Sequence, residues 1–210
     1  MKSKYVLLAL TGSLIALCAG QVEASPIQWT SGSGGNNHYY ELFSTPAGFA
    51  AAQTSATGLG GYLVTITSSG ENAFVAALVG PSSAAWLGGF QSAANPGYSE
   101  PGGGWAWANG DTFSYTNWKN TGFAEPNDVA NSGGIDISGN EDHLGISTDP
   151  SFGGRWYDIN GNAAYGQKNS YIVEWDSDPA PLPEPTSLLL LGIGLAGIAF
   201  RRRSTVKREA

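Results

Sequence analysis

Gly61-Tyr62-Leu63-Val64-Thr65-Ile66-Thr67-Ser68-Ser69-Gly70-Glu71 packs a strand, a cap and the first turn of a helix into one short run. Tyr62 to Thr67 alternates, with Tyr62, Val64 and Ile66 on one face, which is the period of a strand. Ser68 and Glu71 have the spacing of a capping box, and Phe74, Val75, Leu78 and Val79 then recur at helical spacing until Gly80-Pro81 ends the helix. Upstream, His38-Tyr39-Tyr40-Glu41-Leu42-Phe43 is rich in β-formers and reads as a strand. Thr45-Pro46 then opens another helix, with Thr45 as N-cap and Pro46 at the first helical position, running to Ala56 ahead of Gly58. From Trp86 onward helical periodicity disappears. Short apolar runs remain: Trp86 to Phe90, Trp105 to Ala108, Leu144 to Ser147, Arg155 to Asp158 and Tyr171 to Trp175. The pattern predicts an α+β chain, two helices first and an antiparallel β half with long loops after them. Thr116 to Glu141 has almost no strand pattern, and so long a loop inside a domain points to function.

Composition narrows the classes. Of the 210 residues only 13% are charged, about half the ~25% typical of soluble domains, so the surface is built largely from neutral polar groups. The 11% aromatic content is enough to build a core. Seven of the ten basic residues sit at the ends, as Lys2, Lys4, Arg201, Arg202, Arg203, Lys207 and Arg208. Between Ser25 and Leu182, Lys119, Arg155 and Lys168 face fourteen carboxylates, a formal charge of −11. That field repels nucleic acid and favours cations. One domain, 25–182, is the expected count.

The ends read as addresses. Lys2 and Lys4 precede an apolar run from Tyr5 to Ala19 and then Val22-Glu23-Ala24, the order of a secretory signal, which assigns residues 1–24 to a signal peptide. Cys18 is the only cysteine, with Leu17 where lipoprotein processing needs a small residue. Cleavage after Ala24 leaves a domain without cysteine, which excludes disulfides, thiolate-bound zinc and thiol nucleophiles. At the other end Pro183-Glu184-Pro185 leads into an apolar stretch, 186–200, and then Arg201-Arg202-Arg203. Residues 183–210 resemble a PEP-CTERM sorting tail. That resemblance implies recognition by an exosortase, transient membrane anchoring through 186–200, and delivery to the cell surface or extracellular matrix of a Gram-negative bacterium; a permanent C-terminal anchor is the alternative. Gly192-Ile193-Gly194-Leu195-Ala196-Gly197 spells a dinucleotide-binding fingerprint but follows no strand and lies in the apolar stretch.

The loop region gathers Glu125, Asn127, Asp128, Asp136, Glu141 and Asp142, with Asp158 further on. Carboxylates packed together repel unless a cation neutralises them, and hard oxygen donors without thiolates suit Ca2+. The plain alternative is a set of solvated surface acids. In Glu125-Pro126-Asn127 the proline can hold a backbone geometry that lets its two neighbours project the same way.

Tyr39-Tyr40, Gly61 to Ile66, Trp86-Leu87-Gly88, Trp105-Ala106-Trp107, Tyr115-Thr116-Asn117-Trp118, Glu125-Pro126-Asn127-Asp128, Glu141-Asp142, Trp156-Tyr157-Asp158 and Tyr171 to Trp175 follow one another in the order of a C-type lectin-like domain. The chain resembles that family over residues 38–175. The resemblance implies an α+β fold of two helices, antiparallel sheets and a long-loop region, and a binding role without catalysis. It implies that Glu125, Asn127, Glu141 and Asp158 hold a primary calcium ion and contact carbohydrate, with the mannose- or glucose-type preference that goes with Glu-Pro-Asn. Asp128 and Asp142 match positions for an auxiliary calcium. Tyr157 departs from the family's asparagine, and the family's usual disulfides are absent.

Two further classes stand beside a lectin that binds a carbohydrate or exopolysaccharide. One is a structural or adhesive matrix module that binds protein. The other is a secreted hydrolase using Glu125 and Glu141 as paired carboxylates, which needs a fixed separation and a cleft. No nucleophile elbow occurs, since Gly145-Ile146-Ser147-Thr148-Asp149 lacks the last glycine. His38 and His143 are too few for a three-histidine zinc site and read as strand residues. Trp86, Trp105, Trp107 and Trp175 read as core, with Trp118 and Trp156 packing beside the candidate ligands.

Overall fold

A computed structural model describes residues 25–128, 141–161 and 169–179. The expected signal peptide 1–24, the sorting tail with 186–200, and Asp136 and Lys168 lie outside the described residues. In chain order the elements are β1 (Ile27–Gln28), a short 3₁₀ turn (Ser31–Ser33), β2 (Tyr39–Ala47), α1 (Phe49–Gly58), β3 (Tyr62–Leu63), α2 (Ser69–Val79), β4 (Ala84–Gln91), β5 (Trp105–Trp107), β6 (His143–Ser147), β7 (Arg155–Ile159) and β8 (Asn169–Trp175). The α+β class and both helices are as expected.

The strands form one sheet, in the order β1-β2-β8-β4-β6-β7, with β3 added on β8 and β5 on β4. It is largely antiparallel, as expected, and mixed through one parallel pair. β8 returns between β2 and β4; it runs antiparallel to β2 but parallel to β4, with Ala85 opposite Ser170 and Trp86 opposite Tyr171. A parallel pair needs a long crossover, and the chain between β4 and β8 supplies it with β5, β6, β7 and the loops.

The helix expected from Thr45 begins later. Thr45 and Pro46 belong to β2, and α1 starts at Phe49 after Gly48, whose backbone caps it without a side-chain bond. The pairing with β8 resumes at Ala47, opposite Asn169, after a bulge that accommodates a residue without an N–H. Ala47 is also held by the Trp86 indole, whose Nε1 donates to its carbonyl at 2.7 Å. Two signals that favour a helix start are thus outweighed by sheet pairing.

β3 covers only Tyr62–Leu63, shorter than the strand expected to run to Thr67, and Val64 and Ile66 lie beyond it; alternation through this segment and along β8 divides the core in two. Val64, Ile66 and Ile172 face a cluster with Val75, Leu87, Trp107, Leu144 and Trp156. Leu63, Val173 and Trp175 face another with Phe49, Trp86 and Tyr171. Gly88 lets β4 cross β3 closely, since a Cβ there would sit 2.4 Å from the Leu63 carbonyl oxygen. The expected core tryptophans 86, 105, 107 and 175 are all buried.

Two carboxylates are buried within this architecture. Ser68 caps α2 by accepting from the Glu71 N–H at 3.1 Å, but the second half of the box is displaced. Glu71 Oε2 takes the N–H and hydroxyl of Thr67 (2.7 and 2.9 Å), while Oε1 takes the Tyr40 hydroxyl (2.7 Å) and Asn36 Nδ2 (3.1 Å). Glu174 on β8 lies beside this group. Its Oε2 accepts from the Thr65 N–H at 2.9 Å, and its Oε1 lies 2.7 Å from His38 Nδ1 and 3.2 Å from the Tyr40 hydroxyl. Burial pushes Glu174 up to about 7, with His38 and the Thr65 N–H opposing the shift and Glu71 adding to it.

A carboxyl raised in this way keeps a proton in the folded state that the unfolded chain releases. Its contribution to stability is full below the ordinary glutamate range and is lost as pH rises through about 7. Thermal unfolding in the presence of a chelator should therefore show a midpoint that falls between pH 5 and pH 8. Glu174→Gln should flatten that slope, and an unchanged slope would assign it to other groups.

Candidate functional site

Trp156 on β7 is the hub on which the long loop is laid. It is fully buried, and its ring meets Trp107, Phe113, Tyr115 and Trp118 at centroid distances of 5.6 to 6.2 Å. Its Nε1 donates to Asn72 Oδ1 at 2.7 Å, which ties the hub to α2. The loop backbone runs along β7, with the Lys119 N–H donating to the Trp156 carbonyl (3.0 Å) and the Trp156 N–H to the Asn117 carbonyl (2.9 Å). This places Trp118 and Trp156 beside the candidate ligands, as expected.

From Lys119 the chain makes a tight return. The Lys119 carbonyl accepts from the Glu125 N–H at 2.8 Å, and its ammonium donates to the Phe123 carbonyl at 2.9 Å. Lys119 is itself buried, with Nζ 4.8 Å from the centre of the Phe152 ring. The Glu125-Pro126 peptide is cis. Glu125 and Asn127 do project together, since Asn127 Nδ2 donates to Glu125 Oε2 at 2.5 Å.

Asp158 holds the next turn. Its Oδ2 accepts from the N–H groups of Asn127 (2.9 Å) and Asp128 (2.8 Å), while its Oδ1 is buried and meets no donor among the described residues. Glu125 lies within hydrogen-bonding reach of Asp158, and its carboxyl is pushed up to about 9 by burial first, then by Asp158 and Glu141, with Lys119 opposing. Two carboxyls in this relation need either a proton or a cation between them.

Asp128 carries the connection onward: its Oδ1 accepts from the Glu141 N–H at 3.0 Å. Asp142, the next residue, is raised by burial and by the charges of Glu100 and Asp128. The structure thus brings Glu125, Asn127 and Asp158 into direct contact, and links Glu141 to them through Asp128. Among the described residues, no three His, Cys, Asp or Glu side chains close on one point as a metal site does. The donors fit calcium in kind, all being hard oxygens with the Asp158 Oδ1 left over.

Three contributors escaped the sequence reading. Glu100 reaches the Asp128 and Asp142 group from the β4–β5 loop, its Oε1 accepting from the Tyr98 hydroxyl at 2.5 Å. Gln91, at the end of β4, donates to the Gly103 carbonyl but leaves its Oε1 buried without a donor. The third is the Lys119 clamp. Glycine runs around Tyr98-Ser99-Glu100 hinted at a shaped loop, but nothing local said where it would fold.

Tyr157 is turned away from this side. Alternation on β7 sends Trp156 and Asp158 one way and Tyr157 the other, where its ring fills the space that a Cβ on Gly145 would need. Its hydroxyl accepts from Asn169 Nδ2 at 3.3 Å. The phenol is therefore a packing group. His38 sits in the Glu174 network, and His143 packs against Phe49 with its pKa lowered to about 4 by burial.

Asp158→Ala should leave two backbone N–H groups without their acceptor, at a cost of about 2–4 kcal/mol. Hydrogen exchange at Asn127 and Asp128 should accelerate at least tenfold while the Ile172 and Val173 amides on β8 stay protected. Equal acceleration in both places would mean that Asp158 supports the whole fold rather than this turn.

Comparison with known proteins bears on the fold that carries these residues. The model of the lectin C-type domain matches residues 45–136, which stops short of Glu141 and Asp158, and the PEP-CTERM protein-sorting motif matches 181–203. No curated protein matches the sequence. Among solved structures, human lithostathine is 18% identical with a TM-score of 0.53, covering 72% of this chain and 88% of its own. The cow C-type carbohydrate-recognition domain of CD23, determined in the presence of GlcNAc2Man3 oligosaccharide, is 17% identical with a TM-score of 0.52, covering 72% and 92%. The carbohydrate-recognition domain of the mouse scavenger receptor C-type lectin is 21% identical with a TM-score of 0.51, covering 67% and 91%. At these identities the likeness is one of fold. Two family models thus match in order along the sequence, that of the lectin C-type domain and then that of the PEP-CTERM protein-sorting motif.

Proposed function

We propose that this is an exported, non-catalytic carbohydrate-binding protein whose long loops take up calcium. Glu125, Asn127, Glu141 and Asp158 form the primary site, and Asp128 and Asp142, joined by Glu100, form an auxiliary one. The single observation that carries this reading is the contact between the Glu125 and Asp158 carboxyls, with Asp158 Oδ1 buried and lacking a donor. A cation placed there relieves the repulsion and satisfies that oxygen at once. When bound, calcium would offer its open positions to vicinal sugar hydroxyls, while Glu125 accepts and Asn127 donates hydrogen bonds to the same hydroxyls. The mannose- or glucose-type preference rests on Glu125-Pro126-Asn127. The CD23 domain solved in the presence of an oligosaccharide supports a glycan role for this fold without extending its specificity to this chain.

The sorting motif supports export, with an exosortase acting on the tail, 186–200 holding the chain in the membrane beforehand, and the cell surface or matrix as its destination. No helix among the described residues is long and apolar enough to cross a membrane, and 186–200 lies outside them. The paired-carboxylate hydrolase of Glu125 and Glu141 is set aside because Glu125 is engaged by Asp158 and Asn127, and Glu141 is tied to Asp128 through its backbone. A matrix module that binds protein rather than sugar is the second reading. It is favoured by Tyr157 facing away from the site and by the absence, among the described residues, of a three-carboxylate centre.

The deciding experiment is a calorimetric calcium titration of the full chain, followed by binding to mannose- and glucose-terminated neoglycoproteins with calcium and with chelator. Glu125→Ala should weaken calcium binding by at least roughly tenfold and change the unfolding midpoint in chelator by only a few degrees, because Glu125 sits on a loop. Binding indifferent to chelator would remove the calcium reading. Binding to a matrix protein but to no glycan would establish the second.

A further inference from the structure

Among the described residues only Ile27, Tyr98 and Phe123 are large hydrophobic side chains left exposed, and Phe123 is the extreme at 82%. An isolated apolar side chain on a surface needs no explanation. Phe123 differs because the protein builds a support for it. The Lys119 ammonium is spent on the Phe123 carbonyl, and the Lys119 carbonyl fixes the Glu125 N–H, so the backbone on both sides of Ala124 is tied to one residue. Lys119 is only 9% exposed and lies against Phe152. Lysine is seldom buried, because its ammonium loses hydration. Among the described residues the buried cation forms no salt bridge; it holds a turn that places an aromatic ring in water. Gly122, with φ of +70°, lets the chain make that turn.

Local choices that run against stability mark function more often than fold. The ring stands two residues before Glu125, which touches both Asn127 and Asp158. We infer that Phe123 is a ligand-binding residue, an aromatic platform at the rim of the Glu125–Asn127–Asp158 site that stacks on the apolar face of a pyranose ring whose hydroxyls reach that site. This rests on the carbohydrate reading above and adds to it the residue that selects among sugars. A pyranose offers both the hydroxyl edge that a cation–carboxylate site binds and a C–H face that an aromatic ring binds. Lys119 is the positioning residue for both.

The test uses the full chain with saturating calcium and mannose- and glucose-terminated neoglycoproteins as probes. Phe123→Ala should weaken glycan binding about three- to tenfold, the range of one aromatic contact, and leave calcium affinity and the unfolding midpoint unchanged. Phe123→Trp should restore binding. Lys119→Met, which removes the clamp but keeps the stem against Phe152, should weaken glycan binding as well. Glycan binding unaffected by Phe123→Ala overturns the inference and leaves the lectin reading intact. Loss of calcium affinity in Phe123→Ala also overturns it, by showing that the ring supports the loop. Absence of any glycan binding by the wild type overturns the lectin reading and this inference together.

Discussion

Residues 116–128, the described part of the long loop, are shaped around one carboxylate held on β7. Asp158 leaves the sheet on the same face as Trp156, and its Oδ2 gathers the N–H groups of Asn127 and Asp128. Those two groups belong to a turn that no strand pairs, so their acceptor has to come from a side chain. Trp156 supplies the other half of the constraint. Its ring fills the space under the loop and its backbone lies along residues 117–119. Replacing either would free the loop from the sheet that aims it.

That arrangement explains why the acidic residues of the region meet although they are far apart in sequence. Asp158 draws in 127 and 128, Lys119 draws in 125, and Asp128 reaches Glu141. Each link is a backbone N–H bound to an oxygen, and each leaves a carboxylate facing others of its kind. Among the described residues Lys119 offsets Glu125, and it does so from a position set by the turn. An electrostatic cost of this sort is built into the loop by the same bonds that give it form.

Much of the fold was legible because hydrophobic periodicity reports burial directly. The alternation that joins Val64 to Ile66, though not Tyr62, and the helical spacing from Phe74 to Val79 both follow from which face meets the core. Thr45-Pro46 misled because capping preference is a local tendency of about 1 kcal/mol, and pairing of β2 with β8 reaches past it to Ala47. The parallel placement of β8 against β4 was not legible at all, since strand order is decided by contacts between segments some eighty residues apart. In the loops, Glu125, Asn127 and Asp158 were found through an ordered motif set, whereas Glu100, Gln91 and Lys119 act through folding of the loop and left no local pattern. Tyr157 was visible as a departure, and the sheet's alternation shows why it is tolerated: it packs on the other face.

Two groups of buried carboxylates in this domain differ in a way that separates structure from function. At the start of α2, Glu71 and Glu174 have donors on all four oxygens, from Thr65, Thr67, Tyr40, Asn36 and His38. Such a network is complete, and without cysteines between Ser25 and Leu182 it binds the N-terminal segment, α2 and β8 to one another. Beside the loops, Asp158 Oδ1 on β7 and Gln91 Oε1 on β4 are buried and lack donors among the described residues, and Glu125 stands against Asp158 with Lys119 offsetting it. A protein able to satisfy one buried acid pair so fully, and leaving the other incomplete, keeps the second for something that arrives from outside. Oxygen atoms that lack donors can accept a proton, a water or a cation; a proton or a cation also offsets the surrounding negative charge, and a cation does so for several carboxylates at once.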